Sequence, residues 1–165
     1  INASKRRGPF QAKIGSGMTV DAFNTKMAEG RMGHVGLPES TAMLFDTLGT
    51  KLVRFENNVE PVVAETPVKT EFFDVQPGQV RGLHQSGRAF TDEGEFVSLT
   101  FRAALDEEPD GDTITIKGLP DLTVKLQGTN GDLATVAMAV NAIRRTKEAA
   151  PGLVTMRDLP IVTVY

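Results

Sequence analysis

Residues 95–103 read EFVSLTFRA, and this stretch decides the class of fold. Polar and apolar side chains alternate along it with the two-residue period of a β-strand. One face would carry Phe96, Ser98, Thr100 and Arg102, and the opposite face Val97, Leu99, Phe101 and Ala103. The pattern therefore predicts a strand with one apolar face, which belongs against a core.

Four more segments have strand character. They read LVRFENNVEPVVAE (52–65), GQVRGLHQSGRAF (78–90), DTITIKG (112–118) and LTVKLQG (122–128). Turn sequences separate them, namely QPG (76–78), DEGE (92–95) and EEPDGD (107–112). Five successive strands joined mostly by short turns predict a largely antiparallel sheet.

Three segments have helical spacing. Residues 19–29 have Thr19 as N-cap and Gly30 as stop, and residues 38–48 begin with Pro38 and end before Gly49. The second of these helices is expected to bury Met43, Leu44, Phe45 and Leu48. A last helix over 132–148 has an apolar stripe formed by Leu133, Val136, Ala137, Val140 and Ile143. The sequence thus predicts one α+β domain, 1–165, of two layers: a mostly antiparallel mixed sheet of about five strands with helices on one face.

Composition excludes several classes of function. The 165 residues carry a formal charge of −3, which argues against a broad nucleic-acid-binding surface. They include no cysteine, so disulfides and thiolate metal sites are ruled out and a cytoplasmic location is the simpler expectation. No apolar run approaches the length of a membrane span, and we expect neither membrane nor nucleic acid as a partner.

The common catalytic and cofactor-binding motifs are missing from the sequence. Gly15-Ser16-Gly17 is the nearest approach to a dinucleotide fingerprint, but it lacks the third glycine and a preceding strand. The two histidines, His34 and His84, lie 50 positions apart without metal-ligand spacing. We expect no metal site, and no hydrolase motif is present.

The segment GHVGLPES (33–40) is the most informative loop. An imidazole between two glycines can donate to a substrate or transfer a proton, although His34 can equally cap or pack the turn. Helix amides around Glu39, Ser40 and Thr41 can hold a carboxylate, and the Glu39 side chain can instead pair with an ammonium group.

Two cations, Arg7 and Lys13, are the next candidates for substrate binding, with ordinary surface charge as the alternative. We interpret His84, Gln85 and Arg88, in the polar part of the strand segment GQVRGLHQSGRA (78–89), as structural or oligomer-contact residues. Asn141 is expected to be a buried hydrogen-bonding residue of the last helix.

Several separated blocks resemble one family of enzymes. They read NASKRRGPFQAKIGSGMT (2–19), GHVGLPESTAMLFDTLG (33–49), PGQVRGLHQSGRA (77–89), GDLATVAMAVNAI (131–143) and APGLVTMRDLP (150–160). In this order they resemble the C-terminal domain of the dihydrodipicolinate reductase-like oxidoreductases, in particular the 2,4-diaminopentanoate dehydrogenase branch and its amine dehydrogenase relatives. Residues 2–13 contain no histidine, whereas dihydrodipicolinate reductases proper have a histidine- and lysine-rich stretch there, so the amine dehydrogenase branch is favoured.

The resemblance implies a function for the whole enzyme. An N-terminal Rossmann domain, expected outside this chain, would bind NADH or NADPH, and this domain would complete the pocket for an amine, amino-acid or ketone substrate. The resemblance also implies a homodimer or homotetramer formed through the sheet, and it favours His34 as the candidate catalytic residue. The alternative is a non-catalytic module that self-associates or binds a partner.

Overall fold

The computed structural model describes residues 1–163, which belong to two compact units, Ile1–Asp110 and a second that begins at Gly111. The first unit opens with a 3₁₀ helix, Ala3–Lys5. Its α-helices are α1 (Gly8–Lys13), α2 (Val20–Ala28) and α3 (Gly36–Thr47). Its strands are β1 (Arg54–Val63), β2 (Val68–Lys69), β3 (Asp74–Val75), β4 (Val80–Thr91) and β5 (Gly94–Ala104).

Helix α2 forms where the sequence predicts it. The hydroxyl oxygen of Thr19 accepts from the Ala22 N–H at 3.2 Å, which satisfies one of the unpaired donors of the first turn. Gly30 follows the helix with φ of +69°, the left-handed conformation in which glycine costs least.

The main sheet has the order β1-β4-β5, and both pairings are antiparallel. The register aligns Val59 with Gln85 and Gln85 with Phe101 in one row across the three strands. Helix α2 packs on β1, and α3 packs on β4 and β5. The core includes Ile14, Phe23, Val75, Val80, Leu83, Ala103 and Leu105.

Helix α3 begins two residues before the predicted Pro38, and it buries a different face. Leu37, Thr41 and Phe45, spaced four residues apart, are its buried residues. The prediction was right for Phe45 and wrong for Met43, Leu44 and Leu48, which are exposed. Helix α3 packs on β4 and β5, and Leu37, Thr41 and Phe45 lie on one of its faces at i, i+4 and i+8.

Strand β5 departs from strict alternation at Phe96. Ala89 pairs with Val97 and Phe90 with Glu95, so a bulge leaves Phe96 without a partner in the ladder. Phe96 makes an edge-to-face contact with Phe45 of α3, with ring centroids 5.4 Å apart. The bulge explains why Phe96 contacts a helix although the simple alternation places it on the polar face.

The second unit contains a hairpin, β6 (Gly111–Ile116) with β7 (Leu122–Gln127), and the helix α4 (Gly131–Glu148). Asn130 caps α4 by accepting from the Asp132 and Leu133 amides. None of its residues up to 163 is buried, and Asn141, predicted to be buried, is only half-buried.

The predicted α+β class with an antiparallel sheet is confirmed. The five predicted strands are all present, but they form a three-stranded sheet and a separate hairpin rather than one sheet, and the short pair β2-β3 was not predicted. No helix within residues 1–163 combines the length and apolarity that a membrane crossing requires.

Candidate functional site

A small cavity in the first unit brings two of the predicted site residues together. Its volume is about 60 Å³, and its lining residues are Phe10, Lys13, Ile14, Gly33, His34, Leu83 and Phe101. Helix α1 supplies Phe10 and Lys13, the loop before α3 supplies His34, and the sheet supplies Leu83 and Phe101. The cavity therefore joins a cation and an imidazole within largely apolar walls.

The His34 side chain caps the helix that follows it. Its Nδ1 accepts a hydrogen bond from the Gly36 N–H at 3.0 Å, where α3 begins. Its ring also lies 4.6 Å from the Phe101 ring, centroid to centroid, at an interplanar angle of 49°. The two alternatives for His34 are thus compatible, because the residue caps the turn and also lines the cavity.

The backbone of His34 is held by Gln85 of β4, a residue that is 2% exposed. Gln85 Oε1 accepts from the His34 N–H at 2.5 Å, and Gln85 Nε2 donates to the His34 carbonyl at 3.3 Å. The same Nε2 donates to Asn57 Oδ1 at 2.9 Å. The loop is therefore attached to the sheet by a buried amide whose oxygen and nitrogen are both hydrogen-bonded.

Gly33 has a conformation and surroundings that suit glycine. Its φ is +106°, and a Cβ there would lie 3.3 Å from Gln85 Oε1 and 3.2 Å from Val59 Cγ2. A side chain would thus be strained and would crowd the amide that holds His34.

The remaining predicted residues lie outside the lining of this cavity. Arg7 is exposed at the N-cap of α1, and Glu39 is exposed in the first turn of α3. Ser40 is half-buried. Thr41 is fully buried, and its hydroxyl donates to the Leu37 carbonyl at 2.9 Å. Because α3 begins at Gly36, the amides of residues 39–41 lie inside the helix rather than at its open end.

Sequence reasoning did not find the other parts of the site. Gln85 was interpreted as structural, which describes its contacts, but its partner His34 lies 51 residues away and no local pattern links them. The apolar walls, Phe10, Ile14, Leu83 and Phe101, look like ordinary core residues in the sequence. Phe101 could have been suspected, since the alternation of 95–103 places it on the buried face.

Residues 1–163 contain no group of three or more His, Asp or Glu side chains that could hold a metal ion. The Gly15-Ser16-Gly17 segment is a turn attached to the sheet, where the Gly17 N–H donates to the Val80 carbonyl at 2.8 Å, and Ser16 is buried. It lies between the end of α1 and the start of α2, so a helix and not a strand leads into it, unlike a dinucleotide-binding turn.

A second cavity, of about 290 Å³, lies in the unit that begins at Gly111, and Arg145, Glu148 and Asp158 are among its lining residues. The Thr155 N–H and hydroxyl both donate to Asp158 Oδ2 at 2.8 Å, and these bonds lower the pKa of the Asp158 carboxyl. They indicate a turn-stabilising role for this carboxylate, so we place the candidate site in the first cavity.

Comparison with known proteins relates this chain to one family. Residues 9–165 match the model of the 2,4-diaminopentanoate dehydrogenase C-terminal domain. A curated 2,4-diaminopentanoate dehydrogenase from Acetoanaerobium sticklandii is 33% identical over 169 residues, which cover 98% of this chain and 48% of that protein. The chain thus spans about half the length of this relative.

The amine dehydrogenase of Mycobacterium smegmatis has the same fold, with a TM-score of 0.87 at 23% identity, over 100% of this chain and 50% of that one. The resemblance inferred from the sequence blocks is therefore confirmed. This chain belongs to the 2,4-diaminopentanoate dehydrogenase C-terminal domain family.

Proposed function

We propose that this chain is the substrate-binding part of an NAD(P)H-dependent oxidoreductase that deaminates an amine or amino acid oxidatively, or aminates a ketone reductively. The observation that carries the proposal is the cavity that Lys13 and His34 both line, within a domain of this dehydrogenase family. A cation and an imidazole among apolar walls suit a small organic molecule with a polar group.

The role of this chain in the reaction is to bind and orient the substrate. NADH or NADPH would supply hydride exchange, and we place its binding on an N-terminal Rossmann domain, because the chain covers only 48% and 50% of its two relatives and no strand leads into its Gly15-Ser16-Gly17 segment. His34 and Lys13 are the residues that we assign to substrate contact. Substrate contact by Arg7, Glu39, Ser40 and Thr41 remains a prediction. In the described structure, the Thr41 hydroxyl bonds to the Leu37 carbonyl within α3.

Self-association is the second part of the proposal. On the β6-β7 hairpin, Ile114 faces Val124 and Ile116 faces Leu122, and these four side chains are 48–52% exposed. An apolar face of this kind suits burial against the same face of another copy, as in a symmetric homodimer or homotetramer. A non-catalytic module that only self-associates would use the same surface.

The location that we propose is the cytoplasm, which the cysteine-free sequence permits.

The proposal is tested by expressing the complete gene product and following nicotinamide reduction with amines and amino acids. We expect substrate-dependent reduction of NAD⁺ or NADP⁺ by the complete protein and none by residues 1–165 alone. Absence of hydride transfer across amines, amino acids and ketones, together with absence of nicotinamide binding, would favour the non-catalytic module.

A further inference from the structure

The side chain of Gln11, in α1, is completely buried and hydrogen-bonded at both of its polar atoms. Its Nε2 donates to the Arg6 carbonyl at 2.7 Å and to the Ser4 carbonyl at 3.3 Å. Its Oε1 accepts from the Thr70 hydroxyl at 2.8 Å. We call these three hydrogen bonds the Gln11 clamp. Because a buried polar group is costly to leave unpaired, the clamp fixes residues 4–6 against α1.

Residues 2–6 are held on a second side by the end of β5 and the turn that follows it. Asn2 forms a parallel bridge with Ala104, and the Asp106 N–H donates to Ser4 Oγ at 2.8 Å. Ala3 is fully buried and belongs to the hydrophobic core. The segment is therefore a fixed part of the first unit and not a loose tether.

Thr70 ties the clamp to the hairpin formed by β2 and β3. Its hydroxyl oxygen accepts from the N–H groups of Phe72 and Phe73 at 3.2 and 3.0 Å, so one side chain organises the hairpin loop and also holds Gln11. The Phe72 ring lies against Gly8 at the start of α1, where a Cβ would be 3.0 Å from Phe72 Cδ1. The clamp thus joins residues 4–6, α1 and the hairpin.

The clamped segment has a further role in the proposed function. The chain covers 48% and 50% of its two relatives, and in the proposed enzyme the nucleotide-binding half is joined to this unit through residue 1. Helix α1 lines the candidate site. The clamp is a hydrogen-bonded link between that connection and the helix, so it sets the direction in which the other half leaves the unit. Hydride transfer is sensitive to this direction, because a misplacement of about 1 Å can slow a reaction on the order of a hundredfold.

We propose that Gln11 is a positioning residue for hydride transfer: the clamp fixes residues 4–6 and thereby the orientation of the nucleotide-binding half toward the substrate. The inference rests on the proposed function and deepens it. In this role Gln11 contacts neither the substrate nor the nicotinamide, and it acts through the connecting segment.

Two substitutions open the clamp in the complete protein, and two more are controls. Gln11→Glu keeps an acceptor for Thr70, but it turns a carboxylate oxygen toward two carbonyls in place of the amide donor. Thr70→Val removes the hydroxyl, whereas Thr70→Ser keeps it. Val62→Ala, at a buried residue of β1 outside the clamp, lowers stability without opening it.

We expect Gln11→Glu to lower the kcat of amine-dependent nicotinamide reduction about tenfold, and to leave the Kd for reduced nicotinamide and the KM for the amine within about twofold. Thr70→Val should also lower kcat, and it decides the question if Gln11→Glu does not fold. Thr70→Ser should keep the kcat of the unsubstituted protein, and so should Val62→Ala, with a lower melting temperature. Unchanged kcat in the two clamp variants, or an equal fall in Val62→Ala, would overturn the positioning role.

If the unsubstituted protein transfers no hydride, the proposed function fails, and hydrogen exchange followed by mass spectrometry still decides whether the clamp fixes the segment. The amides of residues 2–7 should exchange about tenfold faster or more in Gln11→Glu, the size of a lost buried hydrogen bond, while those of α2 exchange as in the unsubstituted protein. Equal exchange at residues 2–7 in the two proteins would overturn the clamp.

Discussion

Gly36 lies against the His34 imidazole, and its lack of a side chain leaves the ring room to occupy its position. It is the first residue of α3 and does not have a positive φ, so alanine can adopt its backbone conformation. Its N–H donates to His34 Nδ1, and its missing Cβ leaves space for the imidazole. A side chain at position 36 would therefore displace the ring and break the hydrogen bond that caps α3.

For Gly36→Ala we predict that folding is preserved while substrate use falls. The added Cβ would displace the imidazole and break its hydrogen bond to the first N–H of α3, so the free energy of unfolding should fall by about 1 kcal/mol, the usual cost of a lost cap. The displaced imidazole should lower kcat/KM on the order of tenfold, because misplacement of a binding group is costly. Thermal melting and steady-state kinetics of the complete protein measure the two effects.

Gly118→Ala is the matched control, since a Cβ there has its nearest neighbour, the Pro120 carbonyl oxygen, at 3.6 Å. It should change neither quantity. Full kcat/KM in Gly36→Ala would show that the ring does not depend on this space.

At this scale the sequence was informative about His34 and uninformative about what holds it. A histidine between glycines stands out because few residue types combine donor, acceptor and proton transfer. The Gln85 amide does not stand out, because its value comes from burial and from contacts made across 51 residues of chain. Thr41 and Ser40 looked suitable for a ligand only as long as the helix was taken to begin at Pro38.

At the scale of elements, the Glu107 carboxylate, just after β5 ends, forms ion pairs with an arginine of β4 and an arginine of β5. Its Oε1 lies 2.5 Å from Arg102 Nε, and its Oε2 lies 3.0 Å from Arg81 Nη2. Arg81 also donates to the Leu105 carbonyl. The side chains of Glu107 and Arg81 are only 13% and 19% exposed, so this cluster is screened less than a surface pair.

We predict that Glu107→Gln lowers the free energy of unfolding by about 2 kcal/mol, because it leaves two arginines beside a neutral group in a partly buried place. Glu95→Gln serves as the control in the same sheet. It breaks an ion pair with Arg88 whose side chains are 35% and 56% exposed, and should cost less than about 1 kcal/mol. Urea unfolding compares the two variants, and equal losses would show that burial gives Glu107 no special weight.

Strands and helices were predictable where their periodicity is regular, as in α2 and in residues 97–103. The prediction was wrong where tertiary contacts intervene. The bulge at Phe96 changes the direction of one side chain, and three of the four apolar residues expected to be buried on α3 are exposed. The division of five strands into a sheet and a hairpin depends on long-range pairing, which alternation alone does not specify.

At the scale of the whole molecule, the unit that begins at Gly111 has apolar side chains that its own described residues do not bury. The hairpin alternates, so that Ile114 and Thr115 point to opposite faces. We predict that Ile114→Glu lowers the molar mass of the complete protein in solution, because it places a charge in the proposed contact between copies. Thr115→Glu, on the polar face, should leave the mass unchanged.

Light scattering coupled to size-exclusion chromatography measures both masses. The contact would be located elsewhere if Ile114→Glu assembled like the unsubstituted protein. A loss of assembly in both variants would mean that the charge, and not the apolar face, is responsible.

Our proposal assigns to Lys13 and His34 the binding of the substrate of a nicotinamide-dependent dehydrogenase. The most direct measurement is the rate of amine-dependent nicotinamide reduction by the complete protein, compared with that of the double variant Lys13→Ala/His34→Ala, together with the Kd of each protein for reduced nicotinamide. We predict that kcat/KM for the amine falls at least about tenfold in the double variant while the Kd for the nicotinamide is unchanged. Equal kcat/KM values in the two proteins would contradict the claim.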